Sequence, residues 1–118
     1  MVSIDSFRKL VLSFPEAEEK SHFHKTSFRV KKKIFATLDE KEKLAVLKFS
    51  PVDQSVFSDI SKGAIYPVHG AWGKKGFTYV NLAKIKKDML VDAAKISYSN
   101  IAPAKLAAAF TSKQGLKG

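Results

Sequence analysis

Cations and aromatics, rather than acids or nucleophiles, dominate the residues of this chain that are able to do chemistry. Between Gly63 and Leu82 lie the only Trp, four of the six Gly and two of the three Tyr. The centre of that stretch, Gly70-Ala71-Trp72-Gly73-Lys74-Lys75-Gly76, sets an indole beside two ammonium groups. Its glycines allow positive φ and sharp turns, so the segment reads as a loop that presents an aromatic and paired cations at one place. A second cationic group is Arg29 with Lys31, Lys32 and Lys33. Nearly all of the 21 basic residues are Lys. Lysine acts as a point charge on phosphate, whereas Arg makes the better bidentate pair with a base. The chemistry these residues offer is phosphate contact by Arg29, Lys31, Lys32, Lys33, Lys74 and Lys75. Trp72 would either stack on a base or sugar or pin its own loop.

The remaining reactive side chains suggest less. His22 and His24 flank Phe23, and on one strand positions i and i+2 share a face, which would let two imidazoles approach a metal. The only other His is His69, so a packed or hydrogen-bonding pair is the competing reading. Glu16, Glu18 and Glu19 form an acidic cluster that reads as a solvated loop. There is no Ser-His-Asp signature, phosphate loop or metal motif, and no enzyme, cofactor or metal site is predicted. His22, His24 and His69 keep general acid/base chemistry open as an alternative, because catalytic groups meet in space rather than in sequence.

The elements that must position these residues are legible from periodicity. Ser3 is an N-cap, Asp5 complements the dipole, and Ile4, Phe7, Val11 and Phe14 recur at helical spacing until Pro15. Ser21 to Val30 reads as a strand. It leads through a Lys31–Lys33 tip into Ile34–Leu38, with Ile34, Ala36 and Leu38 on one face and Phe35 and Thr37 on the other. Lys at a hairpin tip also guards a sheet edge against aggregation. Asp39 to Glu42 turns the chain into a strand from Lys43 to Phe49. Ser50-Pro51-Val52-Asp53 opens a short helix that ends near Gly63. Strands at Ala64–Val68 and Phe77–Leu82 follow. In the second, Thr78, Val80 and Leu82 face opposite to Phe77, Tyr79 and Asn81. A longer helix from about Lys84 carries Ile85, Met89, Ala93 and Ile96 on one face and stops at Asn100. Pro103 opens a final helix through Phe110. Consecutive strands with short turns imply an α+β, two-layer domain: an antiparallel sheet of about five strands with helices packed on one face.

Composition bounds the function. The length of 118 residues suits one domain, residues 1–110, with a polar tail over 111–118. Hydrophobic residues at 45% supply a core, so this is no disordered basic tail. The formal charge of +10 favours nucleic acid, an anionic surface or an acidic partner. The absence of Cys excludes disulfides and thiolate sites and fits a cytoplasmic protein. No secretion signal or membrane span is visible, and the lysines are not gathered on one amphipathic helix, so no membrane partner is expected. A monomer is the expected state.

The order of several segments resembles the MmcQ/YjbR family. They are His24-Lys-Thr-Ser-Phe-Arg-Val30, Lys33-Ile-Phe-Ala-Thr-Leu38, Tyr66-Pro67, Trp72-Gly-Lys-Lys-Gly76 with Thr78 and Val80, and Ile101-Ala-Pro-Ala-Lys-Leu106. The resemblance runs from about Phe7 to Phe110. It implies a CyaY-like fold and DNA binding by a double-wing arrangement, and it carries no catalytic residues. Many relatives have a Gly-rich turn where this chain has Lys31-Lys32-Lys33, which adds charge at the tip. The fold is also similar to frataxin, which binds iron through an acidic ridge. Here the first helix offers only Asp5 and the net charge is opposite, so iron binding is not implied.

Two functions follow as expectations. The first is DNA binding by two Lys-rich wings, with Lys84, Lys86 and Lys87 as flanking contacts and little sequence specificity. The second is a non-enzymatic module for a small anionic ligand or an acidic protein, with Arg29, His69, Trp72 and Tyr79 lining a pocket over the sheet.

Overall fold

The computed structural model describes residues 1–22 and 25–108. In chain order the elements are α1 (Ile4–Leu12), β1 (Ala17–His22), β2 (Lys25–Val30), β3 (Lys33–Asp39), β4 (Leu44–Lys48), α2 (Pro51–Ile60), β5 (Ile65–Pro67), α3 (Ala71–Lys74), β6 (Phe77–Asn81) and α4 (Lys87–Ile101). A further helix occupies residues 104–108. The expected continuation to Phe110 and the tail over 111–118 lie outside the described residues.

The helix starts follow the capping signals. The Ser3 hydroxyl accepts from the Ser6 amide, and the Ser50 hydroxyl accepts from the Asp53 amide with Pro51 in the first turn. Each cap satisfies an amide that the helix leaves unpaired.

The sheet has six strands in the order β1-β2-β3-β4-β6-β5. Every neighbouring pair is antiparallel. The strand beyond the expected five is β1, formed by the acidic stretch read as a loop. An edge strand needs backbone pairing and one sheltered face, not hydrophobic alternation. Ala17 lies opposite Val30 and Glu19 opposite Phe28. Glu19 on the helix side takes the Arg8 guanidinium at 3.3 Å. The stretch expected as one strand over Ser21–Val30 is therefore two. β1 ends at His22 and β2 begins at Lys25; Phe23 and His24 lie outside the described residues, and with them the shared-face reading of His22 and His24.

One face of the sheet carries the core. Phe7 of α1 meets Phe28 edge-on with ring centroids 5.8 Å apart, and Phe57 of α2 stacks on Phe49 at 5.2 Å. Burying such a ring stabilises by roughly 2–3 kcal/mol. In α4 the buried residues are Leu90, Ala93, Ala94, Ser97 and Tyr98, whereas Met89 and Ile96 of the expected face are half-buried flanks. Ala93 and Ala94 let the helix approach closely enough for the Ser97 hydroxyl to donate to the Phe35 carbonyl at 2.7 Å and accept from the Lys48 amide at 3.0 Å.

A bulge explains a second departure. Phe28 pairs with Ala36 but Arg29 pairs with Ile34, leaving Phe35 as the extra residue. Phe35 therefore turns into the core beside Ala36 and Leu38, and Ile34 is exposed. The β6 alternation holds: Thr78, Val80 and Leu82 are buried, while Phe77, Tyr79 and Asn81 look to the other face. Among the described residues no helix covers that other face. None of the described helices is long and apolar enough to cross a membrane.

Candidate nucleic-acid interface

The β2–β3 turn consists of Lys31 and Lys32 alone, since Val30 pairs with Lys33. Their φ values are 50° and 69°. Positive φ at both central residues marks a type I′ hairpin turn, which twists with its strands and is usually built from Asn and Gly. Two lysines hold it here, so the tip is tight rather than floppy. Lys31 Nζ lies 2.6 Å from a Glu16 carboxylate oxygen. That contact raises the Lys31 pKa above its ordinary value. Lys31 is thus already paired, whereas Lys32 and Lys33 are exposed and have no carboxylate partner among the described residues. Arg29 stands behind the turn. It is half-buried, its Nε donates to Ser27 Oγ at 3.2 Å, and it lines a shallow cleft with Glu18, Glu19, Lys20 and Lys32.

The second loop contains the single-turn helix α3. Gly73 is not a turn glycine: a Cβ there would run into the Val68 carbonyl, so the bare backbone is what lets α3 lie against the end of β5. Gly76 does need its freedom, with φ of 101° and the Phe49 carbonyl where a side chain would start. Gln54 of α2 ties the loop down. Its Nε2 donates to the Gly73 carbonyl at 2.9 Å, to Thr78 Oγ1 at 2.9 Å and to the Phe77 carbonyl at 3.3 Å. Trp72 is 60% exposed. Its ring also stands edge-on to Phe77 at 5.3 Å, and Lys75 Nζ lies 5.2 Å from its centroid. The indole therefore anchors the loop with one edge and keeps most of its surface in solvent. Lys74 and Lys75 are exposed beside it.

The antiparallel order brings the two loops together. The β2–β3 turn, the exit of β4 and the β5–β6 connection all leave the same end of the sheet. With β4 between the two hairpins, their midpoints are three strand positions apart, about 14 Å at ~4.8 Å per strand. Lys48 closes the gap at the exit of β4, its Nζ 5.4 Å from the Phe77 ring. Sequence reasoning missed Lys48, although it is the outward residue directly opposite Phe77 in the β4–β6 register. It also missed Gln54, a lone amide on a short helix.

Other expected contributors are elsewhere. Lys84, Lys86 and Lys87 follow β6 and begin α4, at the opposite end of the sheet. The acidic turn Asp39–Glu42 joins β3 to β4 at that opposite end as well. Arg29, His69, Trp72 and Tyr79 do not converge on one pocket. Arg29 is on β2 and Tyr79 on β6, with β3 and β4 between them, and His69 is exposed beyond the end of β5.

Fold and charge together define a small basic α+β protein with a helix-free sheet face and a lysine-rich sheet end. A family model, YjbR, matches residues 12–100, and the chain belongs to the YjbR family. The fold is similar to the crystal structure of Deinococcus radiodurans protein DR2400, which carries the DUF419 domain. The two are 22% identical, the match covers 85% of this chain and 78% of that one, and the TM-score is 0.72. No curated protein matches the chain.

Proposed function

We propose that this protein binds DNA through the phosphate backbone, with Lys32, Lys33, Lys74 and Lys75 as the principal contacts and Lys48 between them. The observation that carries this reading is the placement of both lysine-bearing loops at one sheet end, while the Asp39–Glu42 turn sits at the other. Point charges on phosphate fix position without reading sequence, so affinity is expected to vary little with base sequence. Four phosphate contacts at ~0.9 each give a log–log salt slope of about −3 to −4 for duplex DNA. That corresponds to a roughly hundredfold loss of affinity between about 50 and 200 mM salt. Fluorescence anisotropy of a labelled random duplex at those two concentrations tests it. Absence of binding at the lower salt would refute the reading.

A second reading has one observation behind it. Lys62, Lys84 and Lys86 line a cleft of about 410 Å³ with Ile60, Ala64 and Met89, between the end of α2 and the start of α4. A small anionic ligand would fit that cleft better than the sheet face. Protection of Lys84 and Lys86 from acylation by inorganic phosphate, with no effect of DNA, would favour it.

A further inference from the structure

We propose that the helix-free face of the sheet is a stacking platform for single-stranded nucleic acid, running along β6 from Tyr66 and Tyr79 to Phe77 and Trp72. This rests on the nucleic-acid reading above and adds the form of the ligand. A sheet face turned to water ordinarily alternates toward polar side chains. Here three of the four outward positions of β5 and β6, Tyr66, Phe77 and Tyr79, are aromatic, and the fourth is Asn81 at the far end of β6. Tyr66 and Tyr79 are directly opposite each other, with ring centroids 5.4 Å apart. Phe77 is two residues before Tyr79 on the same face, about 7 Å along the strand. Trp72 extends the strip from Phe77 at 5.3 Å. The four rings thus form two touching pairs, Tyr66–Tyr79 and Phe77–Trp72, that follow one another along β6; apart from the single turn of α3 that carries Trp72, no described helix lies on them, and Tyr66 and Trp72 are the exposed ends of the band, at 37% and 60%.

The charges around the band fit a polyanion. Lys48 and Lys75 hold their ammonium groups 5.4 Å and 5.2 Å from the Phe77 and Trp72 centroids. The outward neighbours of the band on β4 are Leu44, Val46 and Lys48, none of them acidic. The carboxylates of this face, Glu18 and Asp39, stand opposite Arg29 and Leu44 at its margins. Aromatic rings at intervals with cations beside them are the requirements of single-strand binding: each base has a face to stack, and the backbone follows the charge. A duplex keeps its base faces inside the stack and gains nothing from the rings. The lysine loops would serve both forms, but the band serves only the single strand.

The sole indole supplies the readout. Trp72 fluorescence is titrated with an oligothymidylate of about ten nucleotides, and anisotropy is measured with a labelled duplex of the same length. The expected result is quenching of Trp72 by the single strand and tighter binding of it than of duplex. Tyr66→Ala and Tyr79→Leu are expected to weaken single-strand binding by about fivefold or more each, with salt slope and duplex affinity unchanged. Tyr79→Leu keeps apolar packing at the half-buried position, and melting curves check that both variants fold. Duplex binding without Trp72 quenching or single-strand preference would overturn this inference and leave the proposed function standing. Failure to bind either form would overturn both. Self-association that buries Trp72, seen as a concentration-dependent mass with a blue-shifted indole, would also overturn it, since the face would then belong to a second copy. An oligouridylate of the same length distinguishes RNA from DNA as the source of the strand.

Discussion

Replacing Ser97 by Ala removes one oxygen from the centre of the molecule. The Ser97 hydroxyl is buried and bridges two backbone groups on different strands: it donates to Phe35 and accepts from Lys48. Phe35 is the extra residue of the bulge, so its carbonyl has left the regular ladder. In the variant the Lys48 amide and the Phe35 carbonyl both lose this partner. A buried polar group left unpaired costs about 1–3 kcal/mol, and carbonyls tolerate it better than amides. The expected loss is therefore about 2–4 kcal/mol, a large part of the ~5–15 kcal/mol that holds a domain together. In urea the midpoint should fall while the slope stays fixed, because the native surface is unchanged. Ser55→Ala on the exposed side of α2 is the control and should change stability by less than about 0.5 kcal/mol. A Ser97→Ala loss below about 0.5 kcal/mol would refute the reasoning, because it would mean the hydroxyl bridge contributes nothing beyond what the relaxed backbone recovers.

Three further outcomes are expected. Gly73→Ala forces a Cβ against the Val68 carbonyl, so it should cost about 1–3 kcal/mol and, by displacing Trp72, shift the indole emission maximum; an unchanged spectrum and melting curve would contradict the packing described. Glu16→Gln frees Lys31 from its ion pair, so the DNA salt slope should steepen by up to ~0.9, and an unchanged or shallower slope would show that Lys31 does not reach a phosphate. Tyr98 is buried with its hydroxyl donating to the Pro15 carbonyl at 2.6 Å, and burial raises its pKa above the ordinary 10.0. Its stabilising effect is fully present below pH 10 and is lost as pH rises through the higher folded-state value. Chemical denaturation should therefore show a decline in stability above about pH 10 that is smaller in Tyr98→Phe.

Much of this architecture was legible because its signals are local. Ser50-Pro51-Asp53 announces α2 through capping chemistry, and the β6 alternation announces its two faces through a period of two. What escaped the sequence depends on neighbours. β1 has no pattern of its own and exists because β2 offers it a backbone edge. Phe35 faces the core because a bulge, set by pairing with β2, breaks the alternation of Ile34, Ala36 and Leu38. The buried face of α4 is turned from Met89 and Ile96 toward Ala94, Ser97 and Tyr98, since small residues permit the close approach that the hydroxyl bonds require. Gly73 reads in sequence as a flexible turn and acts in the fold as a contact. The candidate site shows the same division. Its lysines and Trp72 were identified by residue type, but only strand order reveals which loops share an end. That order joins the lysine turn to α3, brings Lys48 between them and sends Lys84, Lys86 and Lys87 away.

The central claim is that the two loops bind phosphate together. The salt dependence of duplex DNA affinity, compared between the natural protein and a variant with Lys32, Lys33, Lys74 and Lys75 all changed to Ala, tests it most directly. The account predicts a slope of about −3 to −4 for the natural protein that becomes about −1 or shallower in the variant, where Lys48 alone remains of the named contacts, with the same loss for unrelated sequences. Equal slopes for the two proteins would contradict it and place any DNA contact on another surface.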